Sequence, residues 1–159
     1  MKMNKKGFTL IELLAIIVIL AIIAVITVPI ILNIIDNARK GAAKDSVIGY
    51  GKAVELAYVR YQYNQQLGIE EASTGDAISV TVDGTYDSAL FAVDYDGTPV
   101  SCDGVGILNG KVYMIGCTVG TNETDVYSYE AGKAYLYGET GYMDSTAYSD
   151  LWVSSESAE

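Results

Sequence analysis

The glutamate at position 12 has the clearest chemical potential in this chain, because its surroundings are apolar. Residues 8–35 hold only Thr9, Thr27 and Asn33 as further polar side chains, and Leu13 to Ile26 is unbroken. A carboxylate at the centre of a membrane helix costs about 2.5–3.5 kcal/mol, less near the interface, and an ionisable residue there is functional by default. Cys102 and Cys117 offer a second chemistry, a cross-link. Catalytic chemistry is thinly supplied. The chain has no histidine, which removes Ser-His-Asp and Cys-His nucleophile systems and histidine-based zinc sites. Its two cysteines fall short of an all-cysteine zinc cluster. Asp94-Tyr95-Asp96-Gly97 is a fragment of a calcium loop without its closing glutamate, and acid-rich turns are usually only turns. Asn122-Glu123-Thr124 is a sequon, which means little without a known host. No metal, no cofactor and no enzymatic activity are expected.

The elements that must position these groups are sharply divided in charge. Residues 1–60 carry eight of the ten Lys/Arg, among them Lys2, Lys5, Lys6, Arg39 and Lys40. Residues 61–159 keep only Lys111 and Lys133 against sixteen acids. Such a region repels phosphates, so direct nucleic-acid binding by it is not expected.

Phe8 to Ile35 reaches about 42 Å as a helix at 1.5 Å per residue. That exceeds the hydrocarbon core of about 30 Å, so the segment is long enough to span a bilayer. The lysines before it should stay cytoplasmic, with the C-terminal part outside. A secretory signal has an apolar stretch of only about 7–15 residues and an A-x-A-like cleavage site, which this stretch lacks. A plain signal anchor fits the length but leaves Glu12 unexplained. Pro29 removes a helical hydrogen bond, so a kink is expected there.

The order Lys6-Gly7-Phe8-Thr9-Leu10-Ile11-Glu12-Leu13-Leu14 resembles the cleavage and methylation motif of type IV prepilins and pseudopilins. The resemblance covers roughly residues 1–60 and is specific, since basic leader, glycine, phenylalanine and glutamate fall in register before a spanning helix. It implies that a prepilin peptidase cuts between Gly7 and Phe8 and methylates the new Phe8 amine. It also implies that the apolar helix becomes a filament core. In that core the amine of a neighbouring Phe8 would offset Glu12 and set the register of incoming subunits.

Beyond Asp36 the helix should continue. Ala43, Val47, Tyr50, Val54, Ala57 and Tyr61 make one stripe that seats a sheet, with Gly49 and Gly51 as weak points and Gly68 as the C-terminal cap. After a linker at 69–77, the dipeptides Asp83-Gly84, Asp96-Gly97, Asp103-Gly104 and Asn109-Gly110 mark turns between strand-like runs at 78–82, 90–95 and 111–115. Runs at 126–129 and 133–137 flank Ala131-Gly132, and Tyr127, Tyr129, Tyr135 and Tyr137 alternate as for one face of a sheet. A two-residue turn at Asn109-Gly110 opposes Cys102 and Cys117 in a hydrogen-bonded pair, the wider-spaced class; a Cys102–Cys117 disulfide is expected, with Gly104, Gly106 and Gly116 free to bulge the ladder.

The expected fold is α+β, a long N-terminal helix packed on a small antiparallel sheet. The chain divides into residues 1–7 as leader, 8–35 as membrane-spanning and filament-core helix, 36–67 as its amphipathic continuation, 68–153 as a β-rich head, and 154–159 as a frayed tail. The resemblance implies a structural subunit of a type IV pilus or pilus-like filament. Its partners would be other pilins, the prepilin peptidase, the assembly machinery and, before assembly, the bilayer. It would cross the cytoplasmic membrane once, N-terminus in, and then become extracellular. The alternatives are a type II secretion or competence pseudopilin, and an anchored surface-binding protein that never polymerises.

Overall fold

Residues 10–67 form one helix, α1 (Leu10–Leu67), in a computed structural model that describes residues 7–69, 76–82, 85–144, 146 and 147. The chain divides into two compact units, Met1–Arg39 and Lys40–Glu159. In the first, the described residues are the start of α1 and the three residues before it, and each apolar side chain from Leu10 to Ile35 is exposed. Among the described residues, α1 is the helix long and apolar enough to cross a membrane.

The second unit packs the rest of α1 against a sheet. Val47, Val54, Ala57 and Tyr58 are buried on one side of the helix, with Ala43, Tyr50 and Tyr61 partly buried beside them. This is the stripe expected from the sequence. Tyr58 and Tyr61 both lean on Phe91, with ring centroids 6.1 and 6.0 Å away. The helix stops at Gly68, whose φ of +66° reverses the backbone. Gly68 N–H then donates to Gln65 C=O (3.3 Å) and Ile69 N–H to Asn64 C=O (3.0 Å), the paired bonds of a Schellman cap.

Seven strands follow: β1 (Asp76–Val82), β2 (Thr85–Val93), β3 (Val100–Ser101), β4 (Gly104–Leu108), β5 (Lys111–Val119), β6 (Asn122–Glu130) and β7 (Lys133–Leu136). Their order is β2-β1-β4-β5-β6-β7, with β3 paired to β5 in the same register as β4. The α+β architecture is as expected, but the sheet is mixed rather than purely antiparallel. β1 pairs in parallel with β4 through Thr81 opposite Gly106 and Val82 opposite Ile107. After the β1–β2 hairpin the chain runs through residues 94–99, and β4 arrives beside β1 in the same direction. The segment 94–99 is tied to α1, since Tyr95 O–H donates to Ser46 C=O (3.1 Å) and its ring meets Tyr50 edge-on at 5.5 Å.

Two expectations about the head need correction. Asp103-Gly104 is no hairpin turn, because Gly104 opens β4. The four tyrosines do not share a face either. The two-residue turn at Ala131-Gly132, both at positive φ, opposes Ser128 to Tyr135 and Tyr129 to Ala134. Tyr135 therefore lies on the face opposite Tyr127 and Tyr129, and Tyr137 is exposed. The back face is covered too: Met143 packs with Tyr113 and Ile115, and its N–H donates to the Ser128 hydroxyl at 3.0 Å. The Asp83-Gly84 turn, most of the 69–77 linker, residues 1–6 and the 154–159 tail lie outside the described residues.

Candidate functional site

The start of α1 brings three of the singled-out residues together. Gly7 and Phe8 precede the helix and are exposed. A Cβ built on Gly7 would meet nothing within 4 Å, and its φ is not in the left-handed region, so nothing among the described residues requires glycine there. Thr9 caps the helix. Its backbone N–H and its hydroxyl donate to Glu12 Oε2 at 2.8 and 2.7 Å, and Glu12 N–H points back to the Thr9 hydroxyl at 3.4 Å. This is a capping box, which ties off donors that a helix start leaves bare. The sequence reading missed it, although Thr9-x-x-Glu12 before an apolar run is its signature.

Further along, the Thr27 hydroxyl donates to Ile23 C=O at 2.6 Å, so its polarity is spent within the helix. Pro29 lies inside α1. Its ring leaves Val25 C=O without the amide donor an ordinary residue would supply.

Residues 2–28 match the family model described as the prokaryotic N-terminal methylation motif. The chain carries a prepilin-type N-terminus. The match ends within α1, well before the sheet. No curated protein and no solved structure matches the chain. The prepilin motif implies processing by a prepilin peptidase and assembly with other pilins, and with the apolar helix it indicates membrane anchoring before assembly. It supports a type IV pilin-like reading and suggests a structural role rather than an enzymatic one.

Of the sites expected in the head of this prepilin-like chain, the cysteines are joined. Cys102 and Cys117 form a disulfide, with Cα atoms 3.9 Å apart. Gly116 beside them has a φ of +62°, and Asp103 N–H donates to Ile115 C=O at 3.1 Å. The pairing of β5 with β6 shifts register between Met114 and Cys117. These irregularities are a bulge, the local adjustment that a hydrogen-bonded cysteine pair demands. A Cβ on Gly116 would collide with the Asp103 carboxylate, so both space and φ require glycine.

Asp94 and Asp96 are exposed on the 94–99 segment. Among the described residues, no group of three or more His, Cys, Asp or Glu is placed to hold a metal. Asn122 and Thr124 of the sequon are exposed at the start of β6, where the Thr124 hydroxyl donates to Asn122 Oδ1 at 2.6 Å. One ion pair ties the C-terminal side of the sheet to α1. Lys44 Nζ lies 2.6 and 2.7 Å from the Glu139 oxygens, and Leu136 N–H also donates to Glu139 at 3.0 Å. The Lys44 hydrogen bond first, and the Leu136 amide second, hold the Glu139 carboxyl below the usual carboxylate range.

Proposed function

We propose that this chain is a structural subunit of a type IV pilus or pilus-like filament, cut after Gly7 by prepilin peptidase, methylated at Phe8 and polymerised through α1. The observation that carries this reading is the prepilin motif at the head of an apolar helical segment, Leu10 to Ile35, whose side chains are all exposed. Exposed apolar area of that extent needs a cover, first the bilayer and then the helices of other subunits. Gly7 supports the same reading, because nothing among the described residues needs a glycine there, whereas a peptidase that grips backbone beside the cut does.

Within the packed shaft Glu12 would face the amine of a neighbouring Phe8, the cation supplied there once Lys2, Lys5 and Lys6 leave with the leader. Pro29 would loosen the helix in the middle of the apolar segment. The test is the N-terminus of protein from the native host, by intact mass and N-terminal sequencing. Methylated Phe8 as the first residue is the expected result. A protein beginning at Met1, or beyond the apolar run, overturns the reading.

A further inference from the structure

The second half of α1 is apolar on two opposite sides. Leu56, Val59 and Tyr63 are 61%, 60% and 62% exposed, and Leu67 continues their spacing. At about 100° per residue this stripe lies roughly opposite Val47, Val54 and Tyr58, the residues turned towards the sheet. The described residues of the head leave it uncovered. Exposed Lys52 stands one turn before Leu56 on the same side.

A complementary surface lies at the other end of the same unit. After the cap of α1, among the residues whose side chains are described, Tyr137 is a large hydrophobic left exposed, at 73%, and it meets Tyr142 edge-on at 5.3 Å. Asp144 is exposed nearby. The Thr146 hydroxyl, and then the Thr146 amide, donate to its carboxyl at 2.5 and 2.9 Å and hold it below its ordinary pKa, so it is anionic at neutral pH.

We infer that the Leu56–Val59–Tyr63 stripe of one copy docks on the Tyr137–Tyr142 edge of a second copy of this chain, with Lys52 against Asp144. The chemistry matches on both counts, apolar stripe to aromatic pair and cation to anion. It also fits the segregation of charge, with most cations in residues 1–60 and most acids beyond. The two surfaces are different patches of one chain, so the contact is heterologous and repeats without closing on itself. Its axial offset follows from the helix. The Tyr137–Tyr142 edge flanks Glu139, which is anchored to Lys44. Val59 lies about 15 residues further along α1, an offset of about 22 Å. Successive copies would step along the helix axis, as a filament requires.

This inference rests on the filament reading and adds a contact between heads to it. The test uses the full chain in its host, carrying Val59→Cys and Tyr137→Cys together or singly, with oxidative cross-linking of sheared filaments. The double variant should give a ladder of dimers, trimers and higher species, while each single variant gives none. Filaments of the double variant that stay monomeric on non-reducing gels overturn the contact and leave the filament reading standing. Dimers from Val59→Cys alone also overturn it, because the stripes then pair with each other. Should the cysteine pair block assembly, charge reversal replaces it. Lys52→Glu and Asp144→Lys should each lower the ratio of sheared to membrane-bound protein by about fivefold or more, and their combination should restore it. No rescue overturns the pairing. If the wild type yields no sheared filament, the filament reading fails and takes this contact with it.

Discussion

The ring of Tyr129 occupies the place where a side chain at Gly51 would stand. A Cβ built on Gly51 falls 2.5 Å from Tyr129 Cζ and 2.7 Å from Cε1 and Cε2. The ring is fully buried, and its hydroxyl donates to Glu55 Oε1 at 2.9 Å, one turn further along α1. A glycine that costs the helix up to about 1 kcal/mol relative to alanine thus makes room for a tyrosine ring of β6 against α1.

Gly51→Ala should therefore destabilise the head despite alanine's better helix propensity. The blocking atoms belong to a ring held from both ends by burial and by Glu55, so they cannot swing aside cheaply. Overpacking of this kind costs about 1–3 kcal/mol. Urea unfolding of the full chain in detergent, followed by near-ultraviolet circular dichroism of the tyrosines, measures it. A midpoint at or above the wild type would show that the ring can move.

The same contact sets an alkaline limit. Burial first, and the hydrogen bond to Glu55 second, push the Tyr129 phenol well above its ordinary value near 10. A pKa raised on folding means that the folded state holds its proton more tightly. That stabilisation is complete below the unfolded value and is lost as pH rises through the folded one. The unfolding midpoint should fall above about pH 10, and Tyr129→Phe should flatten the fall. Equal alkaline slopes in both proteins would remove Tyr129 as the cause.

How far the sequence revealed this architecture depends on how local each signal was. The stripe on α1, the cap at Gly68 and the hairpin turns at Asn109-Gly110 and Ala131-Gly132 are written in neighbouring residues, and each was legible. The cysteine pairing followed from one of those turns, and Gly116 was among the glycines expected to bulge. The parallel pairing of β1 with β4 was not legible, because no spacing between adjacent runs encodes a contact across the 94–99 segment. The role of Gly51 was hidden for the same reason, since its partner Tyr129 lies on another element. The capping box at Thr9 and Glu12 is written locally as Thr-x-x-Glu, but the cost of a carboxylate in an apolar run points equally to a distant cation, so the signal is ambiguous until the side chain is placed. The placing of Tyr135 was also available from the Ala131-Gly132 turn, which sends it to the opposite face.

The Cys102–Cys117 bridge closes a separation of 15 residues and pins the β3–β4 junction to β5. Replacing both cysteines by serine should cost about 2–4 kcal/mol, the usual range for a bridge of this kind. Peptide mapping without reduction should recover the linked peptides from surface material. Two alkylatable thiols in freshly sheared protein would show that the bridge does not form in the exported chain.

Glu12 now has two possible partners, and they predict different mutants. As a cap it bonds to Thr9 within its own chain. As an assembly residue it would face the Phe8 amine of a neighbour. Loss of a cap costs about 0.5–2 kcal/mol, felt at the first turn of a helix of 58 residues, and would leave most of α1 intact. Loss of the pairing would strand a positive amine among apolar helices, which is costly for every subunit added. Glu12→Ala should therefore give a cleaved, membrane-inserted protein that enters filaments poorly. Glu12→Lys should be worse, since it sets like charge against the amine. Thr9→Ala removes the hydroxyl half of the capping box but keeps the carboxylate, and should assemble nearly as the wild type does. The measurement is the ratio of sheared surface protein to the membrane pool, by immunoblot, for all three variants. If Thr9→Ala falls as far as Glu12→Ala, the glutamate acts through the cap. If none of the three changes the ratio, Glu12 does not guide assembly and the anchored-receptor alternative gains its strongest support.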